Sequence, residues 1–232
     1  MGSVRFPGKS LEIIWENYSL LELVLRRVIH STTLKDVVLA TSTNRIDDVL
    51  CDLAQSLGVS VFRGPEKDVL TRFIDALEKR PTSAVVRICA DNPLVDSEEI
   101  DKLVTFFWAS QPCDYACNDR LDCGLPDGVG AEVVSLKALR ILDQRVKGEL
   151  REHVTHYITL HPGEFEIARL QAKGKLRRPE IKLDVDTPSD HEAIKRLITR
   201  LGSVDAPFWS VNRIIEVYDS IVYEGSKTDF ID

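Results

Sequence analysis

Apolar positions along this chain switch between helical spacing and short continuous runs, and the switch repeats. Leu20, Leu21, Val24, Leu25 and Val28 recur at helical spacing behind Ser19 and Glu22, a capping-box pair that predicts a helix start. Residues 36–41 (DVVLAT) form a short, β-branched apolar run of strand type. Residues 45–57 read as a helix closed by Gly58, 59–62 as a strand, and 69–79 as a helix stopped by Pro81. Residues 83–89 (SAVVRIC) have the composition of a buried strand, and Ser97 with Glu98 and Glu99 opens another helix. Strand–helix–strand units of this length predict an α/β fold with a mixed, mainly parallel sheet flanked by helices.

The second half has a different rhythm. Residues 113–117 and 131–134 read as short strands around a loop at 121–130 that is rich in Gly, Pro and Asp. Helices are predicted over 136–146 and 151–160, strands over 165–170 and 181–186, and helices over 188–201 and 211–218. With no internal repeat and no linker, the expectation is one domain over residues 1–232, carrying an insertion around 113–135. The late apolar positions Val211, Ile214, Ile215, Val217, Ile221 and Val222 are expected to cover the core, with a homodimer contact as the alternative.

Composition narrows the function classes. The 232 residues are 44% hydrophobic and carry a formal charge of −7, which argues against a general nucleic-acid binder. A nucleotide needs only a local cationic pocket, so that ligand class stays open. No apolar run reaches the length of a membrane span, and no signal-peptide pattern opens the chain. Five cysteines without CxxC spacing suggest reduced thiols and a cytoplasmic protein. Cys113, Cys117 and Cys123 as part of a metal site is the alternative, weakened by the lack of a nearby histidine in sequence.

Candidate chemistry sits at predicted strand ends and at the N-terminus. Residues 2–9 (GSVRFPGK) combine Gly2 and Ser3 with Arg5, Gly8 and Lys9 in a turn suited to an anion, although a flexible terminus has the same composition. Asp91 follows the strand at 83–89 and precedes Asn92-Pro93. Asp186 ends the strand at 181–186, before a helix capped by Thr187 with Pro188 and Asp190 in its first turn. Ligands in open α/β sheets bind beyond the carboxyl ends of strands. Two such carboxylates with open coordination positions suit Mg²⁺ holding a nucleotide phosphate. The bland alternative for each aspartate is a helix cap or turn residue. Asp184 and Asp186 also fit an Asp-x-Asp metal motif, unless Asp184 simply pairs with Lys182.

Six blocks then appear in order: Gly2-Ser3-x-Arg5-x-Pro7-Gly8-Lys9, Asp68-Val69-Leu70-x-Arg72, Val85-Val86-Arg87-x-x-x-Asp91-x-Pro93-Leu94-Val95-Asp96, Pro126-Asp127-Gly128, Arg151-Glu152-His153-Val154-Thr155 and Val185-Asp186-Thr187-Pro188-x-Asp190. Their combination closely resembles the spore-coat polysaccharide cytidylyltransferases, relatives of the enzymes that make CMP-activated acidic sugars. The resemblance implies a nucleotide-diphospho-sugar transferase (GT-A-like) fold, with CTP as donor, a sugar as acceptor and Mg²⁺ as cofactor. It places Gly2, Ser3, Arg5 and Lys9 on the triphosphate, with Arg72 and Arg87 also on the nucleotide. It places Asp91 and Asp186 on the metal, and Asn92, Asp127, Gly128, Glu132, Glu152 and His153 towards the acceptor side.

In the implied reaction an acceptor hydroxyl attacks the α-phosphorus of CTP and pyrophosphate leaves. Metal, Arg5 and Lys9 would neutralise the charge, and no covalent nucleophile is needed. His153 is a candidate base because imidazole titrates near neutrality, with a helix-face histidine bonded to Glu152 as the alternative. The chain departs from the family pattern at Thr71, Cys89-Ala90, Asn92 and Gly130, where Asp, Thr-Gly, Cys and Asp are common. The family also has an isoleucine- or valine-rich strand ending in Ala-Arg before the first motif. The expectation is that this central strand is missing here, which would leave backbone groups beside it unpaired. Two rival functions remain: a metal-dependent glycosyltransferase using a nucleotide sugar through Asp184 and Asp186, and a non-catalytic nucleotide-binding protein.

Overall fold

Side-chain caps start four of the helices where the sequence places them. Helix α1 (Leu20–Ile29) begins where Ser19 Oγ accepts the Glu22 amide, and it buries Leu20, Leu21, Val24, Leu25 and Val28. Helix α2 (Asp48–Ser56) follows a 3₁₀ turn at Arg45–Asp47 and ends before Gly58, whose φ of 73° releases the chain into the next strand. Helix α3 (Val69–Glu78) comes next, then α4 (Ser97–Ala109), capped by Asp96 accepting from the Glu99 amide. Helix α5 (Leu136–Arg145) is capped by Ser135 accepting from the Ala138 amide. Two later helices are α6 (His156–Leu160) and α7 (Pro188–Leu201), the latter opened by the Thr187–Asp190 capping box. Helix α8 (Val211–Thr228) is the last of the described helices and runs past the expected end at 218. This computed structural model describes residues 5–78 and 80–228.

The strands form mixed ladders. Strand β1 (Ile13–Trp15) pairs antiparallel with β2 (Tyr18–Ser19), a small hairpin that the periodicity did not predict. Strands β3 (Val38–Ser42) and β4 (Ser60–Gly64) run parallel. Strands β5 (Ala84–Arg87), β6 (Tyr115–Cys117), β7 (Glu132–Ser135) and β8 (Ile167–Arg169) form a second sheet in the order β5-β7-β6-β8. Strand β7 is antiparallel to both neighbours, while β6 and β8 are parallel.

Two predicted elements change form. The helix expected over 151–160 is a 3₁₀ turn at Gly148–Arg151 followed by α6, because the Arg151 guanidinium is drawn out of helical register. It binds Asp68 Oδ2 at 2.8 Å, Asp143 Oδ1 at 2.7 Å and Thr71 Oγ1 at 2.7 Å. The strand expected over 181–186 is an extended segment with one isolated bridge, Asp127 to Lys182. Its backbone bonds go to loops: Asp127 donates to the Ile181 carbonyl, Leu183 to that of Asp127, and Val185 to that of Asp91, each at 2.9 Å.

The core continues under the last helix. Val211, Ile214, Ile215 and Val217 are buried, Ile221 packs partly against the core, and Val222 faces outward. Arg27 is 2% exposed and donates to the carbonyls of Val95 at 2.7 Å, Trp209 at 3.0 Å and Pro207, with Asp96 3.8 Å away. Burial pulls its pKa down to about 10, against the pull of Asp96. Among the described residues, no helix is long and apolar enough to cross a membrane.

Among the described residues β3 pairs with β4 alone and β5 with β7 alone, so each keeps one open edge. Between them lies a groove of about 900 Å³, walled by Leu39 and Ala40 on one side and Val85 and Val86 on the other. Val24 of α1 and Phe73 of α3 also line it, and it reaches Lys9 and Asp91. A strand with apolar residues on both faces satisfies such a space, because helices cover it above and below.

Candidate active site

Gly8, at φ 78°, turns the chain into a 3₁₀ turn at Lys9–Leu11, a conformation that favours glycine. Phe6 packs edge-on against His191 of α7 with ring centroids 5.8 Å apart, which holds this turn against the helix. From there Lys9 Nζ reaches Asp91 Oδ2 at 2.9 Å, the Val185 carbonyl at 2.7 Å and Asp186 Oδ1 at 3.7 Å. Arg5 Nη2 sits 2.9 Å from the same Asp186 oxygen. The structure thus brings Arg5, Lys9, Asp91 and Asp186 into one cluster. Gly2 and Ser3 lie outside the described residues.

Asp127 and Asp184 extend this cluster. Burial raises the Asp127 pKa, and the charges of Asp186 and Asp91 add to the effect. Asp184 is also raised, first by burial and then by Asp127. Asp184 Oδ1 is buried without a hydrogen-bond partner, and its other oxygen lies 3.7 Å from Lys182 Nζ. Lys182 bonds more closely to Asp190, at 2.9 Å. Gly128, at φ 86°, makes this approach possible: a Cβ there would lie 2.8 Å from the Asp184 amide nitrogen.

A second cluster surrounds Glu132, which was expected on the acceptor side. Its side chain is buried, pairs with Arg87 Nη1 at 2.5 Å, and accepts from Thr155 Oγ1 at 2.8 Å and from Tyr115 Oη. With these partners Glu132 organises the wall and leaves Arg87, less buried, at its edge. Asp119, which the sequence reading missed, completes the group. Burial and then the charge of Glu132 push its pKa up to about 8, and its Oδ1 has no partner. Asp119 lines a cavity of about 500 Å³ with Tyr115, Arg120, Asp127 and Arg169. The available signal was an acidic residue two positions beyond a strand end.

The remaining predicted residues are placed as follows. Arg72 donates to the carbonyls of Pro65 and Glu66 at 2.9 and 3.2 Å, so its recorded bonds hold a turn and none goes to the acidic cluster. Asn92 forms the turn after β5, accepting from the Val95 amide at 3.1 Å. Glu152 and His153 are exposed between the 3₁₀ turn and α6 and line the groove beside β5. His153 therefore lies off any helix face, with its ring 6.1 Å from that of His156. The Gly130 departure has a steric cause: a Cβ would lie 2.7 Å from Asn118 Oδ1 and 2.8 Å from the Asp119 backbone. Cys113 donates to the Tyr115 carbonyl, and among the described residues no group of three metal-ligating side chains is placed to hold an ion.

With this geometry in place, the comparisons with known proteins assign the family. The sequence profile of the cytidylyltransferases matches residues 1–223. The chain belongs to the cytidylyltransferase family. Spore coat polysaccharide biosynthesis protein SpsF of Bacillus subtilis is 35% identical over 208 residues, covering 87% of this chain and 84% of that one. A cytidylyltransferase structure from Leptospira borgpetersenii superposes with a TM-score of 0.88 at 28% identity, over 96% of this chain and 92% of the other. A CMP:2-keto-3-deoxy-manno-octonic acid synthetase solved with CTP shares the fold, at a TM-score of 0.63 and 15% identity over 85% and 94% of the two chains. The family makes this chain a nucleotidyltransferase and bears out the expected α/β fold class.

The protonation of Asp119 has a measurable consequence. Its folded pKa is raised, so between about pH 4 and 8 the folded chain keeps a proton that the unfolded chain releases. This carboxyl therefore makes stability fall as pH rises through that window, with the loss complete above pH 8. Asp119→Asn is expected to flatten that component. Urea unfolding of both forms at several pH values reads the difference, and parallel curves would overturn the assignment.

Proposed function

We propose that this cytidylyltransferase joins CMP from CTP to a sugar hydroxyl and releases pyrophosphate, supplying surface-polysaccharide synthesis. The observation that carries the reading is Lys9, held between Asp91 and Asp186 with Arg5 on the same carboxylate. Cations and paired carboxylates meeting beyond the end of β5 make a site for a triphosphate and its counter-ion.

The donor set fits a divalent cation. It consists of carboxylate oxygens, and Asp127 and Asp184, whose pKa values are raised first by burial and then by neighbouring carboxylates, lie beside it. Asp91 and Asp186 are the residues proposed to hold Mg²⁺, which takes one or two carboxylates and leaves other positions to phosphate and water. When bound, such an ion neutralises phosphate charge. The chain's own cations do the rest. Arg5, with its side chain 66% exposed, is free to leave Asp186 for phosphate oxygens, and its planar fork suits them. Lys9 is less exposed and supplies a fixed positive charge at the departing pyrophosphate. Arg87 faces the nucleotide from the edge of the Glu132 cluster. The cavity lined by Asp119, Arg120, Asp127 and Arg169 receives the acceptor. His153 is exposed on the groove wall and is the candidate base. No residue forms a covalent intermediate in this scheme.

Pyrophosphate release from CTP with Mg²⁺, across a panel including 3-deoxy-manno-octulosonate and neutral sugars, tests the reading. Asp186→Asn and Lys9→Ala are each expected to lower turnover by about a hundredfold or more, while the circular dichroism spectrum stays unchanged. Free nucleotide released from a nucleotide sugar, without pyrophosphate from CTP, would favour the glycosyltransferase instead. CTP binding without turnover in calorimetry would leave a binding protein.

A further inference from the structure

The transfer chemistry leaves two thiols unused. Cys117 ends β6, and Cys123 lies six positions on, with the two sulfur atoms 3.8 Å apart. Both side chains are buried, at 1% and 0% exposure. Each backbone is fixed independently. Cys117 sits opposite Glu132 and Arg169 in the ladders, while Cys123 donates to the Arg120 carbonyl at 2.8 Å and accepts from the Ala172 amide at 2.8 Å. A disulfide needs sulfurs about 2.0 Å apart, so side-chain rotation has to close the remainder.

The pair also has an approach route. Cys117 lines the 500 Å³ cavity together with Asp119, Arg120, Leu121 and Asp122, four residues of the loop between the two cysteines. A small oxidant entering this cavity comes up against Cys117, whose sulfur touches that of Cys123. The contact between the two sulfurs and burial raise the Cys117 pKa, while the same contact lowers that of Cys123 against burial, so Cys123 is the more nucleophilic sulfur of the pair. The other cysteines lack a partner of this kind. Cys113 is bonded to a carbonyl, Cys51 is buried on the inner face of α2, and Cys89 is half-buried after β5.

We propose that Cys117 and Cys123 form a peroxide-oxidisable pair, a modification site at which a reversible disulfide closes the loop at 118–122. Hydrogen peroxide oxidises one thiol to a sulfenic acid and releases one water. The second sulfur displaces the sulfenic hydroxyl, which leaves with a proton as a second water, and the S–S bond forms. Two electrons pass from the sulfurs to the peroxide O–O bond. A dithiol reductant reverses the step. The cross-link ties the 118–122 loop to the end of β6 and so fixes the wall of the cavity that this loop lines.

The full chain, treated with one equivalent of hydrogen peroxide, then unfolded and alkylated with iodoacetamide, tests the site by peptide mapping. Cys117 and Cys123 are expected to escape alkylation together, in a peptide lighter by two hydrogens, while Cys51 and Cys113 alkylate fully. Dithiothreitol should restore both thiols. The folded chain should cross-link about tenfold faster or more than the chain in urea, because folding holds the sulfurs together. In Cys117→Ser the sulfenic acid should persist on Cys123 and react with dimedone. Full alkylation of both cysteines, independent oxidation to sulfinic acids, or equal rates folded and unfolded would overturn the proposal. The wild-type map decides the question even if the variant does not fold.

Discussion

The Lys9 ammonium is the constraint on which the arrangement of the site depends. It joins three segments that are far apart in sequence: the N-terminal turn, the end of β5 at Asp91, and the extended segment at Val185 and Asp186. The Val185 amide bonds the Asp91 carbonyl at 2.9 Å, so two of these segments are already tied through backbone. Lys9 adds the third. Its side chain is 13% exposed, and a mostly buried ammonium without counter-charges would be strongly unfavourable. The same groups that fix the geometry are those proposed to meet phosphate. Without a nucleotide, the ion pairs therefore hold the site in shape.

Two buried polar groups set the frame behind it. Arg27 gathers the carbonyls of Val95, Pro207 and Trp209, tying α1 to the turn after β5 and to the segment before α8. Its desolvation is severe, as its lowered pKa records, and four carbonyl acceptors, that of Leu94 included, with Asp96 nearby offset it. Glu132 plays the corresponding part in the second sheet. It links β5 through Arg87, β6 through Tyr115 and the 151–155 segment through Thr155. The segment after α5 is tied again by Arg151, which grips Asp68 and Thr71. Several sequence blocks that look separate are thus halves of the same contacts.

Elements whose signal is local were legible in the sequence. Ser19 with Glu22 and Thr187 with Asp190 marked helix starts that the structure realises through side-chain caps. The convergence of Lys9 with Asp91 and Asp186 followed from strand-end logic combined with the ordered motif blocks. What periodicity could not supply was tertiary. Residues 181–186 look like a strand because Ile181, Leu183 and Val185 alternate inward, yet their backbone partners are loops. Residues 151–160 have helical spacing, but the ties of Arg151 break the register before α6. Glu132 read as a polar residue near a substrate. Only the partners across β5 and β6, invisible in one dimension, show that its oxygens are already engaged. Asp119 was missed for the same reason, since its shifted pKa arises from burial beside Glu132 rather than from a motif.

Charge balance determines how a triphosphate could be accommodated. Asp91, Asp127, Asp184 and Asp186 face three cations, Arg5, Lys9 and Lys182, and Lys182 is chiefly engaged by Asp190. A nucleoside triphosphate brings several further negative charges into the same space. Arg5 and Lys9 cannot neutralise both it and the aspartates. In the proposed chemistry the carboxylates would face phosphate across a divalent cation, which would convert them from repelling groups into ligands. In the proposed chemistry the metal is therefore a condition of nucleotide binding, because without it the carboxylates that organise the cluster would oppose the donor.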